Sequence, residues 1–328
     1  MSLDQIIDSF SDRRVLVVGD FMIDAYYWGA VKRISPEAPV PVVEVTKREF
    51  RLGGAANVAL NTAALGANTA MLALIGDDEH GKRAKSLLEE ANINSDYMLS
   101  HASRPTTVKS RVISKGQHLL RIDEELSSPI NDEIASGILA NFKLALSEFN
   151  PEVVVLEDYN KGLLISSLIS ELINECKKRG VKITVDPKKE NFWSYIGVDI
   201  FKPNLLELEQ GLKTQIDPTN KNELSEALKK LQDKLQCQKA FVTLSENGVI
   251  GFNGSESVHF KAHPRKILDV SGAGDTVIAI ASLALAAGCE DKHIYSLANL
   301  GGGLVCEEVG VVPINKELLK SEVKKLSL

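Results

Sequence analysis

The sequence predicts an α/β fold, a three-layer α/β/α sandwich with a mostly parallel central sheet and a small β lid. Two observations carry this. Short β-branched runs that are apolar on both faces recur along the chain, as buried parallel strands require. Helical patterns separate them, which is the βαβ rhythm of a parallel sheet covered on both sides. The lid comes from a third observation: two stretches break that rhythm.

The first strand is Val15-Leu-Val-Val-Gly19, and similar runs follow at Ala70–Ile75, Val153–Leu156, Lys182–Val185 and Ala240–Leu244. Helical patterns lie at Ala55–Leu65, Gly81–Ala91, Ile134–Phe149, Leu163–Arg179 and Lys221–Leu235. The apolar run Thr276–Ala287 contains Ser282 and is too short to span a bilayer, so it reads as a buried helix. Two stretches, about 26–51 and 103–124, read as β excursions forming the lid. The first carries Pro36, Pro39 and Pro41, and the second alternates like a half-exposed strand. The whole of 1–328 reads as one domain, with no internal repeat.

Composition narrows the function. The 328 residues are 44% hydrophobic and 25% charged, with a net charge of −6. That balance fits an ordinary globular protein and argues against a nucleic-acid backbone as partner. Cys176, Cys237, Cys289 and Cys306 form no C-x-x-C pair and read as reduced, packed thiols. The first residues, MSLDQIIDSFSDRR, lack a basic region followed by an apolar core. A cytoplasmic protein without membrane partners is the expectation.

The sharpest local feature is Asp269-Val-Ser-Gly-Ala-Gly-Asp275, leading straight into the apolar helix. Gly272 and Gly274 allow a tight turn and close approach to a ligand. The helix start supplies free N–H groups and a positive dipole end, so an anion fits there. An ordinary helix cap is the alternative, but a cap needs neither two glycines nor the second acid at Asp269.

That segment resembles the C-terminal signature of the ribokinase-like (PfkB) carbohydrate kinases, and the resemblance covers nearly the whole chain. It implies a ribokinase-type fold, ATP and Mg²⁺ as cofactors, and a sugar as acceptor. In this resemblance Gly272, Ala273 and Gly274 form the anion hole, and Asp275 takes the proton of the attacking hydroxyl. Asp24, Gly53, Gly54 and Asn57 match the sugar-binding acid and Gly-Gly helix start. Asn204-Leu-Leu-Glu207 matches the N-x-x-E element of the magnesium–phosphate assembly, with Glu207 acting indirectly on the metal. Thr243-Leu-Ser-Glu-Asn-Gly248 resembles the nucleotide loop, with Ser245 replacing its middle Gly, and Asn299 lies with the ATP group. Ile280 departs from the Ala or Gly of the general signature. A monovalent cation, K⁺, near Asp269 and Ser271 is implied at family level.

Arg33–Val42, Arg51–Ala59, Asp158-Tyr-Asn-Lys-Gly162 and Asp186-Pro-Lys188 resemble one branch, the D-glycero-β-D-manno-heptose 7-phosphate kinases of lipopolysaccharide biosynthesis. The implied reaction phosphorylates O1 to give a 1,7-bisphosphate on the way to ADP-heptose. Many members of that branch carry an adenylyltransferase domain as well. This sequence shows no H-x-G-H element and resembles the stand-alone kinase form. Asp158, Lys161, Lys109, Arg111 and Arg121 are candidates on the substrate side, the basic ones for the sugar phosphate. Solvated surface charge is the alternative for each. A ribokinase- or fructokinase-type substrate, or a sugar-binding regulator on the same fold, stays open. The lid is expected to make a homodimer contact. Gly76-Asp-Asp-Glu-His-Gly81-Lys82-Arg83 nearly reads as a phosphate loop, but Arg83 and three acids spoil it and a βα turn is expected.

Overall fold

In the computed structural model, which describes residues 2–326, strand Arg14–Gly19 lies inside a nine-stranded sheet. From one edge the order is Ser257–Phe260, Val249–Phe252, Lys239–Thr243, Ile200–Phe201, Lys182–Asp186, Val153–Glu157, Arg14–Gly19, Asn68–Leu72 and Ile93–Asn94. The pairings from Lys239–Thr243 to Ile93–Asn94 are parallel, and the last two strands on the other side turn back antiparallel. Successive side chains of a strand point to opposite faces. Val15, Val17, Val153 and Val155 accordingly join one core, while Leu16, Val18, Val154 and Leu156 join another. Helices Ala55–Ala64, Glu79–Glu90, Ala273–Ala286, Asp291–Val305 and Lys316–Leu326 feed the first core. Asp132–Glu148, Ser166–Arg179, Leu205–Leu212 and Lys221–Leu235 feed the second. The result is the three-layer sandwich.

Parallel strands bring their C-terminal ends to one edge, which is where ligands bind in such sheets. Gly19, Glu157, Asp186, Phe201 and Thr243 all end there. Helix Ala273–Ala286 packs against strands Val153–Glu157 and Lys182–Asp186 and against helices Ala55–Ala64 and Asp291–Val305. It is buried continuously from Asp275 to Leu285. Ile280 fits because Gly301 faces it: a Cβ on Gly301 would lie 2.1 Å from Ile280 Cδ1.

A second sheet has the order Pro41–Gly54, Phe21–Ile34, Val108–Ser114, Gln117–Glu124. It uses both expected excursions, but its long hairpin begins at Phe21 and continues to Gly54. The base of the hairpin is anchored in the body by buried Ile23, Ala25 and Leu52, so the ladder extends beyond the stretch that alternates visibly. Ala70–Ile75 also differs from expectation. It divides at Ala73, and Leu74–Ile75 pairs separately with Leu99–Ser100. The phosphate-loop-like segment is a βα turn: Asp78 caps helix Glu79–Glu90 and accepts from Gly81 N at 2.7 Å, so a carboxylate fills the would-be anion seat. Among the described residues no helix is long and apolar enough to cross a membrane.

Candidate active site

Gly272 opens helix Ala273–Ala286 at φ 80°, and a Cβ there would lie 2.8 Å from Asn57 Nδ2. The turn therefore requires glycine both for its backbone and for space. One turn on, Asp275 is buried, with two neutral donors on its carboxylate. Asn57 Nδ2 donates to Oδ2 at 2.6 Å, and the Tyr159 hydroxyl donates to Oδ1 at 2.8 Å. Burial raises its pKa above the ordinary carboxylate value, against the lowering effect of those two bonds. A carboxyl so held is a fixed proton acceptor beside a helix N-terminus.

Charge is dense around it. Glu157, Asp186 and Asp275 place carboxylate oxygens within 4.8 Å of one another. Lys202 Nζ, itself buried, stands 2.7 Å from Asp186 Oδ2. This ammonium supplies the positive charge inside the triad, so we read the cluster as lysine-neutralised and not as a metal centre. Burial, then the charges of Asp186 and Asp275, push the Glu157 carboxyl well above its usual range. Lys188 pairs with Glu207. Burial pulls its ammonium down, but Asp186 and Glu207 outweigh that and raise it.

Among the substrate-binding candidates, Asp24 pairs with Arg111 across adjacent strands. A Cβ on Gly53 would fall 2.3 Å from Asp24 Oδ2, and Gly54 at φ 56° caps helix Ala55–Ala64, which carries Asn57. The glycine pair is thus the end of a strand entering a helix directly. The Tyr26 ring lies between two guanidiniums, Arg51 at 4.9 Å and Arg111 at 5.4 Å. Lys109 and Lys161 converge on Glu125, at 2.9 and 2.8 Å. Arg121 stands apart: its side chain is 61% exposed and pairs with Asp123. Asp158 is held within its own turn. Its carboxylate accepts from Tyr195 Oη and Asn160 N, both at 2.8 Å, and so ties the turn. Asp158 was expected as a substrate contact; here both of its carboxylate oxygens are engaged within the protein.

The nucleotide candidates gather at the next strand ends. Asn204 and Glu207 form a reciprocal capping box on helix Leu205–Leu212. Asn204 bridges Thr243, which brings the N-x-x-E element beside the loop 243–248. Ser245 adopts φ 51°, the left-handed conformation that favours glycine, so the replacement keeps the backbone shape under strain. A Cβ on Gly248 would lie 2.0 Å from Phe260 O, and Asn299 Nδ2 donates to Lys261 O at 2.9 Å. Asp269 accepts from Ser271 N and Gly310 N, both at 2.9 Å, at the mouth of the glycine turn.

Several residues at the site were not among the sequence candidates: Asp20, Glu157, Tyr159, Lys188, Lys202 and Glu125. Tyr159 and Lys188 lie inside the motifs Asp158–Gly162 and Asp186–Lys188, a signal that could have found them. Asp20, Glu157 and Lys202 sit at or just beyond strand ends, a positional signal that carries no residue-type pattern.

Comparison with known proteins bears on the family and the fold. The family model described as pfkB family carbohydrate kinase matches residues 12–317. A curated relative from Sulfurimonas denitrificans, named bifunctional protein HldE, is 38% identical over 311 residues, 95% of this chain and 64% of that protein. The chain thus spans less than two thirds of such relatives' length. Among solved structures, Escherichia coli phosphofructokinase-2 in complex with potassium superposes with a TM-score of 0.80 at 18% identity, covering 96% of this chain and all of the other. Arabidopsis thaliana ribokinase complexed with ribose and ATP gives 0.70 at 21%, covering 94% and 98%.

Proposed function

The chain belongs to the pfkB family of carbohydrate kinases, and from that premise we propose that it transfers the γ-phosphoryl group of ATP to O1 of D-glycero-β-D-manno-heptose 7-phosphate. The observation that carries the chemistry is Asp275, held by Asn57 and Tyr159 at the start of a helix opened by Gly272. In the step, the sugar O1–H gives its proton to the Asp275 carboxylate as the O1–P bond forms. The bond from the γ-phosphorus to the bridging oxygen breaks, and ADP leaves with that electron pair. Little covalent help is needed, so positioning and charge stabilisation carry the rate. The first turn of the helix at Ala273 and Gly274 faces the transferring group, and Lys202 and Lys188 offer positive charge beside it.

The oxygen donors of Asn204 and Glu207 suit a hard cation, and they would hold magnesium indirectly. Bound there, magnesium supplies neutralisation of the phosphate chain. A monovalent cation beside Asp269 and Ser271 belongs to the same reading; the phosphofructokinase-2 complex named above contains potassium. The heptose assignment is supported by the motifs Arg33–Val42, Asp158–Gly162 and Asp186–Lys188 and by the HldE-named relatives. Lys109 and Lys161 are the basic pair best placed for the sugar phosphate, since both already converge on one anionic group, Glu125. We place the enzyme in the cytoplasm, where ATP is abundant.

Asp275→Asn keeps the shape and removes the base. Turnover should fall on the order of 10²- to 10⁴-fold, with ATP binding retained by calorimetry. A variant keeping more than about a tenth of the wild-type rate would contradict the assignment.

A further inference from the structure

We propose that Tyr159 is the positioning residue of the catalytic base: its hydroxyl holds Oδ1 of Asp275 and favours the ionised carboxylate that accepts the sugar proton. The proposal rests on Asp275 being that base.

Tyr159 is unusually well fixed for a residue in a turn. Its backbone N–H donates to Asp20 Oδ2 at 2.8 Å, and the same buried carboxylate accepts from Lys161 N at 3.0 Å and Leu163 N at 3.3 Å. From the other side, Arg104 donates to the carbonyls of Lys161 and Leu126 at 2.8 Å and of Ser128 at 2.6 Å. Asp158, tied to Tyr195, closes the turn by accepting from Asn160 N. The ring carries Lys188 Nζ at 5.5 Å from its centroid. Main chain and ring are both anchored, so the 2.8 Å bond to Asp275 is set by the turn and not by a mobile side chain.

The arrangement suits a base. An ionised carboxylate offers about four lone-pair sites. Asn57 and Tyr159 occupy one on each oxygen, leaving room for the sugar proton. Burial, and next the Asp275 charge, raise the Tyr159 phenol well above its ordinary value, so it stays a donor throughout any practical assay range. The other groups facing Asp275 are Glu157 and Asp186 from neighbouring strands and Lys202; the Asp186 charge disfavours ionisation of Asp275 and the Lys202 charge favours it. Tyr159 and Asn57 are the neutral donors that oppose burial. Removing the Tyr159 hydroxyl must therefore raise the Asp275 pKa, and the acid limb of activity moves to higher pH.

The test compares the pH dependence of kcat/KM for heptose 7-phosphate in wild type, Tyr159→Phe and Asp275→Asn, from about pH 5 to about pH 9. For Tyr159→Phe the acid limb should move up by roughly one pH unit, with kcat at neutral pH down about tenfold and KM within about twofold. The phenyl ring keeps the Lys188 contact, so a thermal melt should change little. As a second variant, 3-fluorotyrosine at position 159 has a more acidic hydroxyl and should move the limb slightly the other way. An unmoved limb in both variants overturns the proposal. A tenfold-order rise in KM with kcat kept also overturns it, because Tyr159 would then be a sugar contact. Asp275→Asn retaining activity removes the base itself and this proposal with it. An inactive Asp275→Asn beside an unmoved Tyr159→Phe limb removes this proposal alone.

Discussion

Asp20 illustrates how much of the site depends on single buried side chains. It follows the first strand directly and receives three backbone N–H groups from the turn after Glu157. Burial pushes its carboxyl up to about 6, from 3.8, against the lowering effect of those N–H bonds. The folded protein therefore binds this proton more tightly than the unfolded chain does. Stability from this group is greatest below about pH 4 and is lost as pH rises through about 6. The full swing is roughly 3 kcal/mol. Thermal or urea unfolding across that window should show a flatter pH slope in Asp20→Asn than in wild type. Equal slopes would mean that Asp20 titrates normally. Asp20 was not legible beforehand, because one acid after a strand has no neighbours that mark it. The turn at Gly272 and the buried helix after it were legible, because two glycines, two acids and an apolar run stand in one short segment. Asp158 lies inside a recognisable motif, but its internal bond to Tyr195 carries no sequence signal.

At the scale of elements, the central strands and the helices between them were readable because each obeys one periodicity. The two-residue strand Ile200–Phe201 and the antiparallel edge strands were not, since so few residues carry no period. Helix Asp291–Val305 was hidden by its glycines, which look like breakers. Gly301 and Gly302 instead clear space for Ile280 and Val277 of the facing helix. The second sheet makes the element-scale prediction. Its outer strands, Pro41–Gly54 and Gln117–Glu124, are both open edges, Ile34, Val45, Leu120 and Ile122 are exposed on it, and Val40 is exposed at the tip of its hairpin. Open edges and apolar surface are usually covered. A homodimer through this lid is the expected outcome. Sedimentation at micromolar concentration should give about twice the 35.7 kDa chain mass, and Val45→Lys with Ile34→Lys should shift it toward monomer. A wild-type species of monomer mass alone would remove the idea.

For the molecule as a whole, parallel strands collect the chemistry at one edge. The base, the lysines and the N-x-x-E element come from segments far apart in sequence, and only the fold joins them. The net charge of −6 coexists with a cluster of cations at the substrate candidates, but the cluster is close to charge-balanced because Lys109, Arg111 and Lys161 each sit against an acid. On the proposed reading, a sugar phosphate binding there would exchange with Glu125, so part of its gain would be spent in displacing that carboxylate. Two charge-assisted hydrogen bonds are worth about 1.5–3 kcal/mol each before that cost. The most direct measurement is kcat/KM for heptose 7-phosphate against the same heptose without its phosphate, under one ATP and magnesium condition. A phosphate anchor predicts a preference of about 100-fold, expressed in kcat as well as KM, because the anchored end positions O1. A ratio within about threefold would contradict it and return the chain to a general sugar kinase.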